Sequence, residues 1–290
     1  MKYHLTLIAS SAKAAGNVKM QLEELIGKYV EISALHYEQL KYHGLIEDQL
    51  VLITAPSFAH LITPYLKPGT RYLLARRNIN AKYINRLLEI PPGAEVLVVN
   101  DFITGTYELI YELLELDLHP MKLFPFDPSL EENPYGLKTK PPNPKLKALR
   151  EAFTEKDMAR YLNSYKIPPY SGKPFEYAIT AGEVELVPPG IKKIIDLCDR
   201  EISILTVAEI LYNLTGSIAY DNLVVSRFQR GTIQLNYQLQ KQSIEYQALK
   251  ERLSAVIANT NQGIIMVDGN NIVRLSNKLA HELLDTADLT

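Results

Sequence analysis

The sequence predicts an α/β fold: two flavodoxin-like, doubly wound lobes, then a long coiled-coil-type helix and a short α+β segment. Three observations carry this expectation. Short, almost wholly apolar runs at residues 3–8, 50–54 and 95–99 are separated by amphipathic stretches, the pattern of parallel strands covered on both faces. From residue 120 to 189, where 12 of the 17 prolines lie, strand-length and helix-length patterns persist, so a second, smaller lobe is expected there. Residues 225–256 repeat apolar side chains at alternating steps of three and four, the spacing of a coiled-coil seam.

In order, residues 3–8 read as a strand and 17–26 as a helix, with Val18, Leu22, Leu25 and Ile26 on one side. Residues 30–35 alternate as a half-buried strand does, and 50–54 form the next strand. A helix is expected at 58–66 despite Pro64, a strand at 71–75, and a helix at 79–88 that stops at Pro91-Pro92-Gly93. A buried strand at 95–99 and a helix at 104–116, apolar at Leu109, Leu113 and Leu116, complete a first lobe over 1–118. The second lobe, 119–216, takes a helix at 146–162, strands at 176–180 and 191–197, and a helix at 206–214. Irregular excursions are expected near 127–145 and 164–174. Gly216 punctuates the chain before a signalling helix in 217–256, and 257–290 form the last piece.

The expected seam comprises Val225, Phe228, Leu235, Leu239, Tyr246, Leu249, Leu253 and Val256, with Thr232 and Gln242 as its two polar positions. As one helix, the segment spans roughly 45–50 Å. It cannot cover its own stripe, so a homodimer is expected. The alternative is a helix packed on its own globular domain. Gly231 weakens the early part by about 1 kcal/mol, and Glu245 and Lys250 are spaced to pair across a parallel dimer.

A hydrophobic share of 47% and a charged share of 22% fit a soluble chain. A net charge of −2 provides no general field to recruit nucleic acid or an anionic membrane. The single cysteine, Cys198, excludes an internal disulfide and a cysteine-rich zinc site. No apolar run reaches membrane-spanning length, and the N-terminus lacks the apolar core of a signal peptide; a cytoplasmic protein is expected. There is no GxG, no Walker-type loop and no H-x-x-x-H spacing, and Ser57 sits in Ala-Pro-Ser-Phe-Ala, outside any G-x-S-x-G elbow. Asp101 follows a strand one too late for a receiver-type phosphoacceptor. No catalytic group, cofactor or metal is therefore expected.

Ligands of open α/β sheets lie beyond the carboxyl ends of the strands. Those ends carry Ser10 and Ser11, Thr54 and Ser57, Arg76, Arg77 and Asn78, Asn100, Asp101 and Thr104, and Thr180. Hydroxyls and guanidinium groups near helix N-termini suit a small anionic effector. Other roles remain open: Asn100 or Asp101 as a helix cap, Arg76 and Arg77 as a solvated surface pair, or an α/β enzyme with Arg76 and Asp101 as catalytic groups.

The last residues run Gly263, an apolar strand to Asp268, a Gly269-Asn270-Asn271 turn, a second strand, then Ser276-Asn277-Lys278-Leu279-Ala280 opening a helix. Gly263, Asp268, Gly269, Asn277 and Ala280 resemble the opening of a PAS domain, of which less than half is expected here. Ala75-Arg76-Arg77-Asn78-Ile79-Asn80, the strand ending in Asn100-Asp101, and Tyr177-Ala178-Ile179-Thr180-Ala181-Gly182 before Val187-Pro188-Pro189-Gly190 are similar to the sensory N-termini of bacterial sigma-54-dependent transcriptional activators, such as the propionate-catabolism activator. The resemblance implies an effector-sensing module ahead of PAS, ATPase and DNA-binding parts. DNA, sigma factor and RNA polymerase would then be met by domains outside residues 1–290. The sensory region of a histidine kinase can carry the same helix-to-PAS start.

Overall fold

The computed structural model describes residues 2–137, 147, 150–153, 165–217, 219–269 and 272–284. The chain divides into two compact units, Met1–Ser226 and Arg227–Thr290.

The first unit contains two four-stranded parallel sheets. The first lobe is built on β1 (Tyr3–Ala9), whose apolar run is buried throughout its second half. It is flanked by β2 (Val30–His36) on one side and by β3 (Val51–Ile53) and β4 (Tyr72–Leu74) on the other, in the order β2-β1-β3-β4. The β1 side chains alternate between two cores. Leu5 and Leu7 meet α1 (Ala12–Ile26) through Val18, Leu22 and Ile26. Ile8 faces Leu40 of α2 (Tyr37–His43) together with Phe58 and Ile62. Cover on both faces is why β1, after His4 and Thr6, ends in an unbroken apolar run, Leu7–Ala9. The residues expected to form the 58–66 helix instead make two 3-10 turns around α3 (Ala59–Ile62), with Pro64 opening the second. The α1 helix starts earlier than its apolar pattern, because Ser11 caps it and Gly16 interrupts the stripe.

The second sheet repeats that topology. Its strands are β6 (Glu95–Val99), β7 (Lys122–Phe126), β8 (Tyr177–Thr180) and β9 (Lys193–Asp196), in the order β7-β6-β8-β9 and all parallel. The crossover from β6 to β7 is α4 (Ile103–Leu116). Pro125 obscured β7 in the sequence; it is tolerated because β7 is an edge strand. The expected helix at 146–162 lies mostly outside the described residues, of which Lys147, Arg150 and Glu151 are helical.

The expected lobe boundary at residue 118 needs correction. β6 and α4 belong to the second sheet, so that lobe begins before Glu95. The last helix, α5 (Ile204–Thr215), returns to the first lobe, where Val207, Ile210 and Leu211 join Leu5 and Leu7 in one core. The second lobe is therefore an insertion between β4 and α5. Periodicity predicts elements but does not say which sheet a strand joins. The two crossings between lobes are paired as β5 (Arg77–Asn78) and β10 (Glu201–Ile202), antiparallel with Ile202 opposite Arg77. β5 occupies part of the stretch before an expected helix at 79–88; only a 3-10 segment, Ile84–Glu89, forms there.

Next comes α6 (Ala219–Ala258), 40 residues and about 60 Å long. The side chains of Val225, Phe228 and Leu235 lie outside the described residues. Leu239, Tyr246, Leu249, Leu253 and Val256 are 38–69% exposed in the single chain. In the second unit, β11 (Ile265–Val267) and β12 (Val273–Ser276) form an antiparallel hairpin followed by α7 (Lys278–Leu284). Asp268 closes the hairpin by accepting from the Ile272 amide at 3.0 Å and pairing with Arg274 at 2.7 Å. Asn277 is nearly buried and uses every hydrogen-bonding site of its amide. It accepts from the Ile264 and Ala280 amides (2.9 and 3.0 Å) and donates to the Ile257 and Gln262 carbonyls (3.0 and 2.8 Å).

Asn277→Ala strands the Ile264 amide and the Ile257 and Gln262 carbonyls, while the Ala280 amide keeps the Asn277 backbone carbonyl at 3.0 Å, and should cost about 2–3 kcal/mol locally. Hydrogen exchange at the Ile264 amide should accelerate by roughly 30-fold or more, while β1 amides stay protected.

Candidate functional site

The carboxyl ends of the two sheets face each other across the lobe junction. β1 ends at Ser10 and Ser11, and the Ser11 hydroxyl accepts from the Ala14 amide at 3.2 Å to cap α1. That cap sets Lys13 in the first turn, facing the inserted lobe. Its ammonium donates to the Gly182 carbonyl and to Glu183 (3.1 Å), with Glu185 at 3.9 Å. Lys13, Asn17, Arg77, Asp101, Glu183 and Asp199 surround a cavity of about 40 Å³, with Asn100 and Arg200 completing its lining.

A buried knot of charge closes the far wall. The Arg200 guanidinium donates to Glu108 (2.9 Å), Glu112 (3.2 Å) and the Arg77 carbonyl (2.9 Å), and its side chain is only 8% exposed. With Arg200 committed to α4, the cavity sets the acidic side chains of Asp101, Glu183 and Asp199 beside Lys13 and Arg77. Burial raises the Asp101 carboxyl above its usual range despite Arg77 nearby. Burial, reinforced by Asp101, pushes Glu183 to about 8 against the pull of Lys13. The Lys13 ammonium is held above its ordinary value: burial opposes this, but the Glu183 hydrogen bond and the neighbouring carboxylates outweigh it. Burial and the nearby Arg200 lower Arg77, which stays charged at neutral pH because of its high starting value.

A wider groove of about 800 Å³ lies along the lobe crossing. Arg76, Asn78, Ile79, Tyr111, Glu115 and Leu116 are among its walls, and Arg77 and Arg200 border both concavities. The expected site residues therefore separate. Arg77, Asn100 and Asp101 meet in the small cavity, while Arg76 and Asn78 line the groove. Ser57 and Thr104 hydrogen-bond each other at 2.9 Å across the lobes. Beside them Phe58 packs on Phe102 and Phe153, with ring centroids 5.4 and 5.2 Å away. Thr180 is fully buried and accepts from the Glu183 amide at 3.1 Å. Thr54 is buried too, and its hydroxyl has no hydrogen-bond partner among the described residues. Ser10 is half-buried at the end of β1. Neither Asn100 nor Asp101 caps α4, since Phe102 holds the N-cap position without a side-chain bond. Instead the Asn100 side chain accepts from the Asp101 amide at 2.8 Å.

Sequence reasoning missed Lys13, Glu183, Asp199 and Arg200. Lys13 and Glu183 follow directly on strand ends that were singled out, so their position was the available signal. Among the described residues, no cluster of His, Cys, Asp or Glu could hold a metal ion, and no helix is long and apolar enough to cross a membrane. No protein-family model matches the chain, and no curated protein matches its sequence.

Glu183 gives the first unit a specific pH dependence. A carboxyl whose folded value exceeds its unfolded value contributes stability that is complete below the unfolded value and lost as pH rises through the folded one. Urea midpoints of the wild type should therefore fall between about pH 5 and 8, and Glu183→Gln should flatten that decline.

Proposed function

We propose that residues 1–216 are the effector-sensing part of a sigma-54-dependent transcription regulator resembling the propionate-catabolism activator. In this reading a small ligand, anionic in at least part of its structure, binds at the lobe junction. The inserted lobe shifts between two arrangements relative to the first lobe, and α6 relays the state as a homodimeric coiled coil. Residues 257–290 open a PAS domain that passes it to ATPase and DNA-binding domains in a cytoplasmic protein. The observation that carries this reading is the pair of strand ends facing each other over a charged cavity, with both crossings gathered into β5 and β10. Such paired crossings let one lobe turn against the other while few backbone angles change.

The reading needs no catalytic step. Arg76 lines the groove and Asp101 the small cavity, an arrangement that does not favour the two as partners on one substrate. Moving the lobes from 1:99 to 99:1 takes about 5.5 kcal/mol of differential affinity, within reach of a few charge-assisted hydrogen bonds.

A screen of central metabolites should find one that raises the thermal midpoint of the protein, because a ligand at 100 times its Kd adds about 2.7 kcal/mol. Arg77→Ala should abolish that rise. A screen with no responder would remove the sensing role.

Light scattering should give twice the 32.8 kDa chain mass, and Leu249→Asp with Leu253→Asp should halve it. A wild-type monomer at tens of micromolar would contradict the dimeric relay.

A further inference from the structure

We propose that the turn at residues 180–185 of the inserted lobe is a receptacle for a primary ammonium group, filled by Lys13 from the opposite lobe, and that the effector displaces Lys13 with an ammonium of its own. The ligand class is then a small zwitterion, an amino acid or an ω-amino acid, rather than a simple anion. This rests on the sensing role proposed for the junction and names the chemistry of its ligand.

The turn presents two hydrogen-bond acceptors to one nitrogen, the Gly182 carbonyl and Glu183 Oε1 at 3.1 Å, with the Glu185 carboxyl at ion-pair distance, 3.9 Å. An ammonium has donors and no acceptor, so an all-oxygen set with an acidic neighbour is complementary to it. The turn is also built without help from Lys13. The Gly182 amide donates to Asp196 at 2.8 Å, and the Glu183 amide to buried Thr180 at 3.1 Å. Gly182 has φ +88, and a Cβ there would lie 2.6 Å from Asp199 Oδ1, so only glycine fits. The Lys13 side chain is 45% exposed, which leaves it free to withdraw.

Charge argues for the same class. Acidic side chains crowd the cavity: Asp101, Glu183 and Asp199 line it beside Lys13 and Arg77, Arg200 is spent on Glu108 and Glu112, and Glu185 stands at the rim. A purely anionic ligand would add negative charge beside these acidic side chains and offer nothing to the oxygens that Lys13 leaves. An incoming ammonium takes the place of the Lys13 charge, and its carboxylate has Arg77 and the freed Lys13 to meet. About 40 Å³ is too little for an organic ligand, so binding requires the Lys13 stem to leave. Its departure breaks a direct side-chain tie between the lobes.

The experiment is chemical rescue in the full chain. Lys13→Ala removes the atoms of n-propylammonium. Tens of millimolar n-propylammonium chloride should raise the thermal midpoint of this variant by about 2 °C or more. The same salt should leave Lys13→Met, whose stem occupies the path, and Lys13→Ala with Glu183→Gln unchanged. No rise, or an equal rise from sodium propionate or sodium chloride, overturns the receptacle. The wild type is then screened with the twenty amino acids, 4-aminobutyrate and succinate. Stabilisation by an amine-bearing member, lost in Glu183→Gln, supports the zwitterion. Stabilisation by succinate alone overturns the zwitterion while sparing the sensing role. A null screen beside a positive rescue removes the sensing role but keeps the receptacle.

Discussion

The Arg200 guanidinium stands where the routes between the two lobes cross, and the rest of the junction is arranged around its two terminal nitrogens. One planar group binds two carboxylates of α4 and the backbone carbonyl of the outgoing crossing strand. The Arg200 carbonyl in turn accepts from Gln21 of α1, whose side chain also receives the Ile202 amide. Lysine could not replace it, because a single ammonium does not reach three acceptors in a fixed plane. The buried charges gain little net stability from pairing, but removing one partner strands the others at a cost of several kcal/mol. Glu112 shows the strain: burial raises its carboxyl even with Arg200 and the Ile79 amide against it.

That knot gives the insertion its mechanical character. The inserted lobe has its own apolar core around Val96, Val98, Leu109 and Ile179. Its contacts with the first lobe include the paired crossing strands, the aromatic packing of Phe58 with Phe102 and Phe153 beside the Ser57–Thr104 hydrogen bond, and the Lys13 ion pair. The first two are backbone hydrogen bonding and apolar burial. The third is a half-exposed charge pair worth little by itself, and it is the contact that solutes and pH reach most easily. The return strand runs straight into α5, where Thr206 accepts from the Arg76 amide at 2.9 Å and Ser203 donates to the Arg76 carbonyl at 2.8 Å. The crossing is thus fastened to the helix that precedes α6 in the chain.

In the second unit a single neutral side chain has a comparable part. Asn277 ties the last turn of α6, the following turn, the first strand and the start of α7. Gly263 lets the chain pass Ala280, since a Cβ there would lie 3.1 Å from the Ala280 Cα. The motif residues that the sequence singled out here hold backbone together.

Much of the fold was legible because strands and helices announce themselves locally. Continuous apolar runs marked β1, β3 and β6, a 3.6-residue stripe marked α1 and α4, and the long polar helix with its apolar seam marked α6. The misses have physical causes: Pro125 disguised an edge strand, and β5 and β10 are too short to carry a pattern. The site was legible in part. Arg77, Asn100 and Asp101 were placed by the rule that ligands lie beyond strand ends, whereas Lys13, Glu183, Asp199 and Arg200 look like ordinary solvated charges in sequence. By itself the sequence determined which segments are strands and helices, because periodicity is a property of neighbours along the chain. Which sheet β6 joins, where α5 returns and which charges meet at the junction were decided only in the tertiary structure, because burial and ion pairing depend on residues brought together from distant parts of the chain.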